Sequence, residues 1–150
     1  MKKELIHWNH DPDCFYCGTQ NPIGLKLKFY LDEETQEVFT EYEASKLFVA
    51  FGNIMHAGIQ SGLFDEIMGW ATYNLTGQMG LTSEIKIKFL RPAYVGKKLI
   101  VSCRIISHDG PEVQLSARIE TPEGKVCSKA TGTYYLLPQD AFRTFIVDKK

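Results

Sequence analysis

The segment AGIQSGLFDEIMGWATYNL, Ala57 to Leu75, limits what this chain can fold into more than any other. At about 100° per residue, Ile59, Leu63, Phe64, Ile67, Met68, Trp70 and Ala71 cover roughly half of a helix circumference. The other half is no charged solvent face, because it carries Ser61, Gly62, Asp65, Gly69 and Thr72. Neither Lys nor Arg occurs from Leu47 to Glu84. A helix apolar on one side and small on the other is expected at the centre of a fold, with something packed close to its small side. Two interior glycines cost about 1 kcal/mol each, which the close approach of a ligand or another backbone would offset. The helix also carries the pair Asp65–Glu66, and burying a carboxylate is costly unless it is paired or used.

Strand patterns flank this helix. Leu25, Leu27, Phe29 and Leu31 alternate with Lys26, Lys28 and Tyr30, which predicts a half-buried strand over 24–31. Asp32-Glu33-Glu34 makes a polar turn, and Glu37 to Ala44 reads as the returning strand. Residues 48–55 read as an apolar loop or short turn. After the helix, strands are expected over 83–89, 98–107, 113–121 and 125–137. His108-Asp109-Gly110-Pro111 and Pro122-Glu123-Gly124 are hairpin-type links between them. Residues 1–23 are rich in turn signals and read as irregular. Two strands, a long helix and four closely linked strands predict an α+β domain over 1–150, with an antiparallel sheet of about five to six strands wrapped around the helix.

Composition narrows the function. The net charge is −1, which points to neither a nucleic-acid nor a membrane partner. No apolar run approaches the roughly 20 residues of a membrane span. The start MKKELIHWNHDPDC has no apolar stretch of secretory type, so a cytoplasmic protein with reduced thiols at Cys14, Cys17, Cys103 and Cys127 is expected. There is no nucleophile elbow of G-x-S-x-G type, no P-loop and no dinucleotide-binding glycine fingerprint.

The element order, with HAGIQSGLFD opening the helix and Asp65 nine residues after His56, resembles the hotdog-fold acyl-CoA thioesterases. It is most similar to the phenylacetate-pathway type, whose helix opens His-Gly-Gly and carries an Asp at the same spacing. LTSEIKIKFLRPAYVGKKL resembles the strand that follows the helix in that family. CFYCGTQNPIGLKL resembles the N-terminal CxxCG…NPxGL segment of one branch. Two positions depart from the pattern. Ala57 stands where the first Gly would be, and Ala50 stands about six residues before the His, where a polar residue is common.

The chemistry of thioester hydrolysis assigns candidate roles. Asp65 is the candidate general base or nucleophile; a solvated or dimer-interface carboxylate is the competing reading. Glu66, some 100° round on the apolar side, is the alternative carboxylate. The amides of Ala57 and Gly58 at the helix N-terminus are candidate oxyanion donors. Asp65 stands roughly 10–12 Å further along the helix, so one subunit's groups need not all serve one site. His56 is a candidate base, but the resemblance implies that it shapes the loop before the helix. Asn53 could replace the missing polar residue. The resemblance also implies that a hydroxyl of Thr82 or Ser83 reaches the site from the facing subunit. Arg91, Lys97 and Lys98 could hold coenzyme A phosphates or form a solvated edge. His7, His10, Cys14 and Cys17 have the spacing of a zinc site, but the favoured reading is that the cysteines are apolar plugs, and no cofactor is expected.

The resemblance implies hydrolysis of an acyl-CoA to free acid and coenzyme A by a homodimer joined edge to edge, pairing further into a tetramer. The alternatives are a non-catalytic acyl-CoA binding module and a hydratase or dehydratase acting on acyl-CoA or acyl carrier protein.

Overall fold

The computed structural model describes residues 1–6 and 11–141 of the chain. His7 and His10, two of the four candidate zinc ligands, lie outside the described residues. In chain order the elements are β1 (Lys2–Glu4), β2 (Tyr30–Asp32), β3 (Glu37–Glu43), β4 (Val49–Phe51), β5 (Ile54–Met55), α1 (Ala57–Thr76), β6 (Gly80–Phe89), β7 (Lys98–Asp109), β8 (Glu112–Glu120) and β9 (Val126–Leu136). Seven strands form one antiparallel sheet in the order β1-β2-β3-β7-β8-β9-β6, and β4 with β5 makes a small hairpin before α1.

Helix α1 packs against the inner face of this sheet, touching β3 and β6 to β9. Leu63, Phe64, Ile67, Met68 and Ala71 are fully enclosed there. Alternation on β8 supplies the facing layer, with Val113, Leu115, Ala117 and Ile119 inward and Glu112, Gln114, Ser116, Arg118 and Glu120 outward. Two polar residues join the buried face of the helix, and both are satisfied. Gln60 accepts from Ser128 Oγ at 2.7 Å, and Thr72 donates to the Met68 carbonyl at 2.8 Å. Gly132 on β9 leaves room for the Met68 side chain, which a Cβ there would displace. Gly77 ends the helix at φ +76°, its N–H donating to the Tyr73 carbonyl.

The structure corrects the sequence reading at several points. The four strands after the helix are not one meander: β7, β8 and β9 are, whereas β6 lies beside β9. Residues 90–97 carry the chain across to β7, anchored by buried Ala93 and Val95 and by backbone bonds to Met55 and Asn53. The strand expected over 24–31 shrinks to β2. Its alternation is real, with Leu27 and Phe29 buried, but Lys26 sits at φ +53° and the amides of Leu25 and Leu27 bond the carbonyls of Phe15 and Tyr16 instead of a strand. The N-terminal stretch supplies β1, which raises the strand count above the expected five to six.

Residues 11–29 strap the open side of the helix. Phe29 stacks on Trp70 at 4.7 Å between ring centroids. The Tyr16 ring lies on Gly62, where a Cβ would overlap the phenol, so side-chain packing explains this glycine. Gly69 is different, because a Cβ there meets nothing. Glu66 turns toward the strap and away from Asp65's surroundings, accepting from Trp70 Nε1 at 3.1 Å and from Cys14 Sγ at 3.6 Å. Burial raises its carboxyl from the ordinary 4.5 to about 7.

The two helix glycines should behave oppositely. Gly62→Ala should destabilise by about 1–2 kcal/mol in urea denaturation and become neutral or stabilising in a Tyr16→Ala background. Gly69→Ala should stabilise by up to about 1 kcal/mol. Glu66 makes stability depend on pH. The folded chain keeps a proton that the unfolded chain releases, so its contribution is full below pH 4.5 and is lost as pH rises through about 7. With a chelator present, the stability difference between wild type and Glu66→Gln should fall by up to about 3 kcal/mol across that window.

Candidate active site

Asp65 lies on the exposed side of α1, and the two strands at the sheet's end reach up to it. Thr82 Oγ1 donates to its Oδ1 at 2.6 Å, and Tyr134 Oη stands 2.6 Å from the same oxygen and 2.7 Å from the Asp65 carbonyl. Short hydroxyl–carboxylate bonds of this kind are strong and directional. They fix one carboxylate oxygen and leave Oδ2 without a hydrogen bond among the described residues.

Strand geometry explains the convergence. Thr82 on β6 is paired directly with Tyr134 on β9, so both side chains point to the same face. Between Thr82 and Glu84 the register slips, and Ser83 is the extra residue of a β-bulge. Alternation alone would put Thr82 and Ile85 on opposite faces. The bulge restores Thr82 to the face of half-buried Ile85 and Ile87. Ser83 is exposed and outside the cluster. Within one chain Thr82 bonds that chain's own Asp65, whereas the hydroxyl at this place was expected to reach the site from a facing subunit and orient the water.

Tyr134 is the residue that sequence reading missed. It is 2% exposed, and burial followed by the charge of Asp65 pushes its phenol upward, so it remains a proton donor. The signal was present in VCSKATGTYYL, where a Tyr falls on the inward face near small residues. A buried phenol requires a hydrogen-bond partner.

At the other end of the helix, His56 is the N-cap. Its Nδ1 accepts the Gly58 N–H at 2.8 Å, so Nε2 carries the proton of the neutral ring. The Gly58 amide, expected as an oxyanion donor, is engaged by this cap in the single chain. The Ala57 N–H, first in the helix, has no intrahelical carbonyl to bond. Asn53 sits in the β4–β5 turn and acts through its backbone carbonyl, which accepts the Val95 N–H; no side-chain hydrogen bond joins it to the helix start among the described residues.

The basic cluster divides. Lys97 and Lys98 line an open groove of about 350 Å³ with Pro92, Tyr94 and Thr121. Lys98 also pairs with Glu41 at 3.2 Å. Arg91 does not line this groove, and its guanidinium donates to the Val126 carbonyl at 2.9 Å. Among the described residues no helix is long and apolar enough to cross a membrane.

Comparison with known proteins adds the family. The model of the thioesterase superfamily matches residues 52–128, just over half of the chain. An inferred esterase of Saccharolobus solfataricus is 28% identical over 91 residues, which cover 60% of this chain and 64% of that protein. The chain thus spans less than two thirds of that relative's length. Among solved structures, the thioesterase superfamily protein RHA08564 superposes with a TM-score of 0.75 at 21% identity, covering 85% of this chain and 60% of its own. A hypothetical thioesterase of Streptococcus pneumoniae, crystallised with coenzyme A, gives 0.65 at 21% identity over 69% of this chain and 82% of its own. The sheet wrapped around one helix is the hotdog fold, and with the family's model matching more than half of its length, the chain belongs to the thioesterase superfamily.

Proposed function

We propose that this protein hydrolyses an acyl-CoA thioester to the free acid and coenzyme A, with Asp65 as the group that activates water. The observation that carries this reading is the carboxylate itself: one oxygen is held by two hydroxyls and the other is open on an exposed helix face. Asp65 Oδ2 takes a proton from water while the water oxygen bonds to the thioester carbon. The carbonyl oxygen gains negative charge and needs a donor. The tetrahedral intermediate then collapses, the carbon–sulfur bond breaks, and the thiolate leaves and is protonated. Direct attack by Oδ2, through an acyl-aspartyl anhydride, uses the same geometry.

The Ala57 amide supplies the oxyanion donor on this reading, but it lies about 12 Å from Asp65 along one helix. A single carbonyl cannot touch both. The site is therefore shared, with Ala57 of one subunit and Asp65 of the other. The sheet offers the means: β6 is a ten-residue edge strand with exposed Leu81 and Phe89, and such an edge is a template for a second copy. Two sheets joined at β6 make the dimer, and dimers pair into a tetramer. The groove at Lys97 and Lys98 receives the coenzyme's phosphates. No dissociable cofactor is needed for these steps. The CxxCG…NPxGL segment and the helix opening favour the phenylacetate-pathway branch.

Thiol release from a panel of short, medium, long and aryl acyl-CoAs tests this. Asp65→Asn should lose about 10²-fold or more in rate while staying folded. Tyr134→Phe and Thr82→Val should each lower kcat by about tenfold, since each removes one bond that aims the carboxylate. Binding without thiol release from any member would sink the hydrolase reading in favour of a binding module. Lys97→Ala with Lys98→Ala should raise KM for acyl-CoA and leave KM unchanged for an acyl thioester lacking the nucleotide.

A further inference from the structure

The proposed hydrolysis makes no use of Cys14, Cys17 or Glu66, yet the fold gathers them at one point. Cys14 and Cys17 open the strap in a tight CFYCG turn. The Cys17 N–H points at Cys14 Sγ at 3.4 Å, the Gly18 N–H bonds the Cys14 carbonyl at 2.9 Å, and a Cβ on Gly18 would collide with the Cys14 backbone. Glu66 comes from the middle of α1. One ligand atom from each of the three lies within 4.8 Å of the others.

The electrostatics of this cluster lack a cation. Glu66 forms no ion pair with Lys or Arg among the described residues, and no Lys or Arg occurs from 47 to 84. Acidic groups in such a place are normally neutralised by protons or coordinate a metal. Two thiolates and a carboxylate are a donor set that zinc accepts. In a tetrahedral site with Zn–S about 2.3 Å and Zn–O about 2.0–2.2 Å, neighbouring sulfur and oxygen ligands stand about 3.5 Å apart. Cys14 Sγ and Glu66 Oε1 are 3.6 Å apart, and Trp70 Nε1 steadies that same carboxylate oxygen.

We propose that Cys14, Cys17 and Glu66 form a zinc site that staples the N-terminal strap to the central helix. A water fills the fourth position. Binding releases the two thiol protons and the carboxyl proton, and the ion's two positive charges offset two of the three negative charges so formed, leaving one. The staple holds Tyr16 on Gly62, one turn before Asp65, so its role is structural.

The test is cobalt and zinc binding by the full chain, purified, reduced and stripped with chelator. Wild type should take up one Co²⁺ per chain, with thiolate charge-transfer absorption and the strong visible bands of tetrahedral coordination, and Zn²⁺ should displace it. Cys14→Ser and Cys17→Ser should each lose the thiolate bands. Glu66→Gln, which keeps an acceptor for Trp70, should weaken Zn²⁺ binding at least tenfold. Saturating Zn²⁺ should raise the wild-type Tm and leave that of Cys17→Ser unchanged. Folded wild type that shows no thiolate–cobalt absorption overturns the site. Unchanged Zn²⁺ affinity in Glu66→Gln removes Glu66 from it and overturns the staple.

Discussion

The molecule depends on the packing of one helix face against one sheet. Leu63, Phe64, Ile67, Met68 and Ala71 leave almost no surface to solvent, and each large side chain so buried stabilises by roughly 1.5–3 kcal/mol. That contact sets the rotation of α1 about its own axis. Once the apolar face is down, Asp65 can only point away from the core and toward the end strands, and Glu66 can only point to the strap. Two adjacent carboxylates thereby acquire different surroundings without any local device to separate them. One meets hydroxyls on an open face, and the other meets thiols and an indole in a closed corner.

The ends of the helix are tied into the same arrangement. At its start His56 caps the Gly58 amide, and the hairpin just before it is bonded to the 90–97 crossing through Met55 and Asn53. That crossing leads directly into Lys97 and Lys98. The proposed oxyanion donor and the proposed phosphate groove are thus parts of one connected stretch of backbone. In the proposed hydrolysis, the shared site follows from the length of the helix: the groups at its start and at its middle would serve different copies of the reaction.

The sequence was most legible where periodicity is strong. The helix ends within a residue of its expected bounds, the alternation of β8 is complete, and Asp65 stands out as an acid on a face of small residues. What escaped reading has physical causes. Strand pairing is non-local, so nothing in 80–89 says that β6 lies beside β9. Lys26 takes a left-handed conformation that no turn residue announces. Gln60 and Thr72 are buried because specific oxygens satisfy them, a property of partners and not of residue type. Tyr134 does not stand out from the other aromatics of its strand, since its partner Asp65 lies 69 positions away. The bond from Thr82 to the Asp65 of its own chain was not legible, because the bulge that turns it toward its own helix leaves no mark on the residues themselves.

That bulge divides β6 into two parts that obey different rules. Beyond Ser83 the strand keeps ordinary step with β9 and builds the sheet edge; before it, the strand is out of phase by one residue and serves the carboxylate. Were Ser83 instead paired in a regular ladder with no bulge, Thr82 would rotate to the opposite face, while Ile85, Ile87 and their pairing stayed in place. Sheet pairing and the Thr82–Asp65 contact are therefore separable by one residue of this strand, and a regular ladder running through Ser83 would lose the contact.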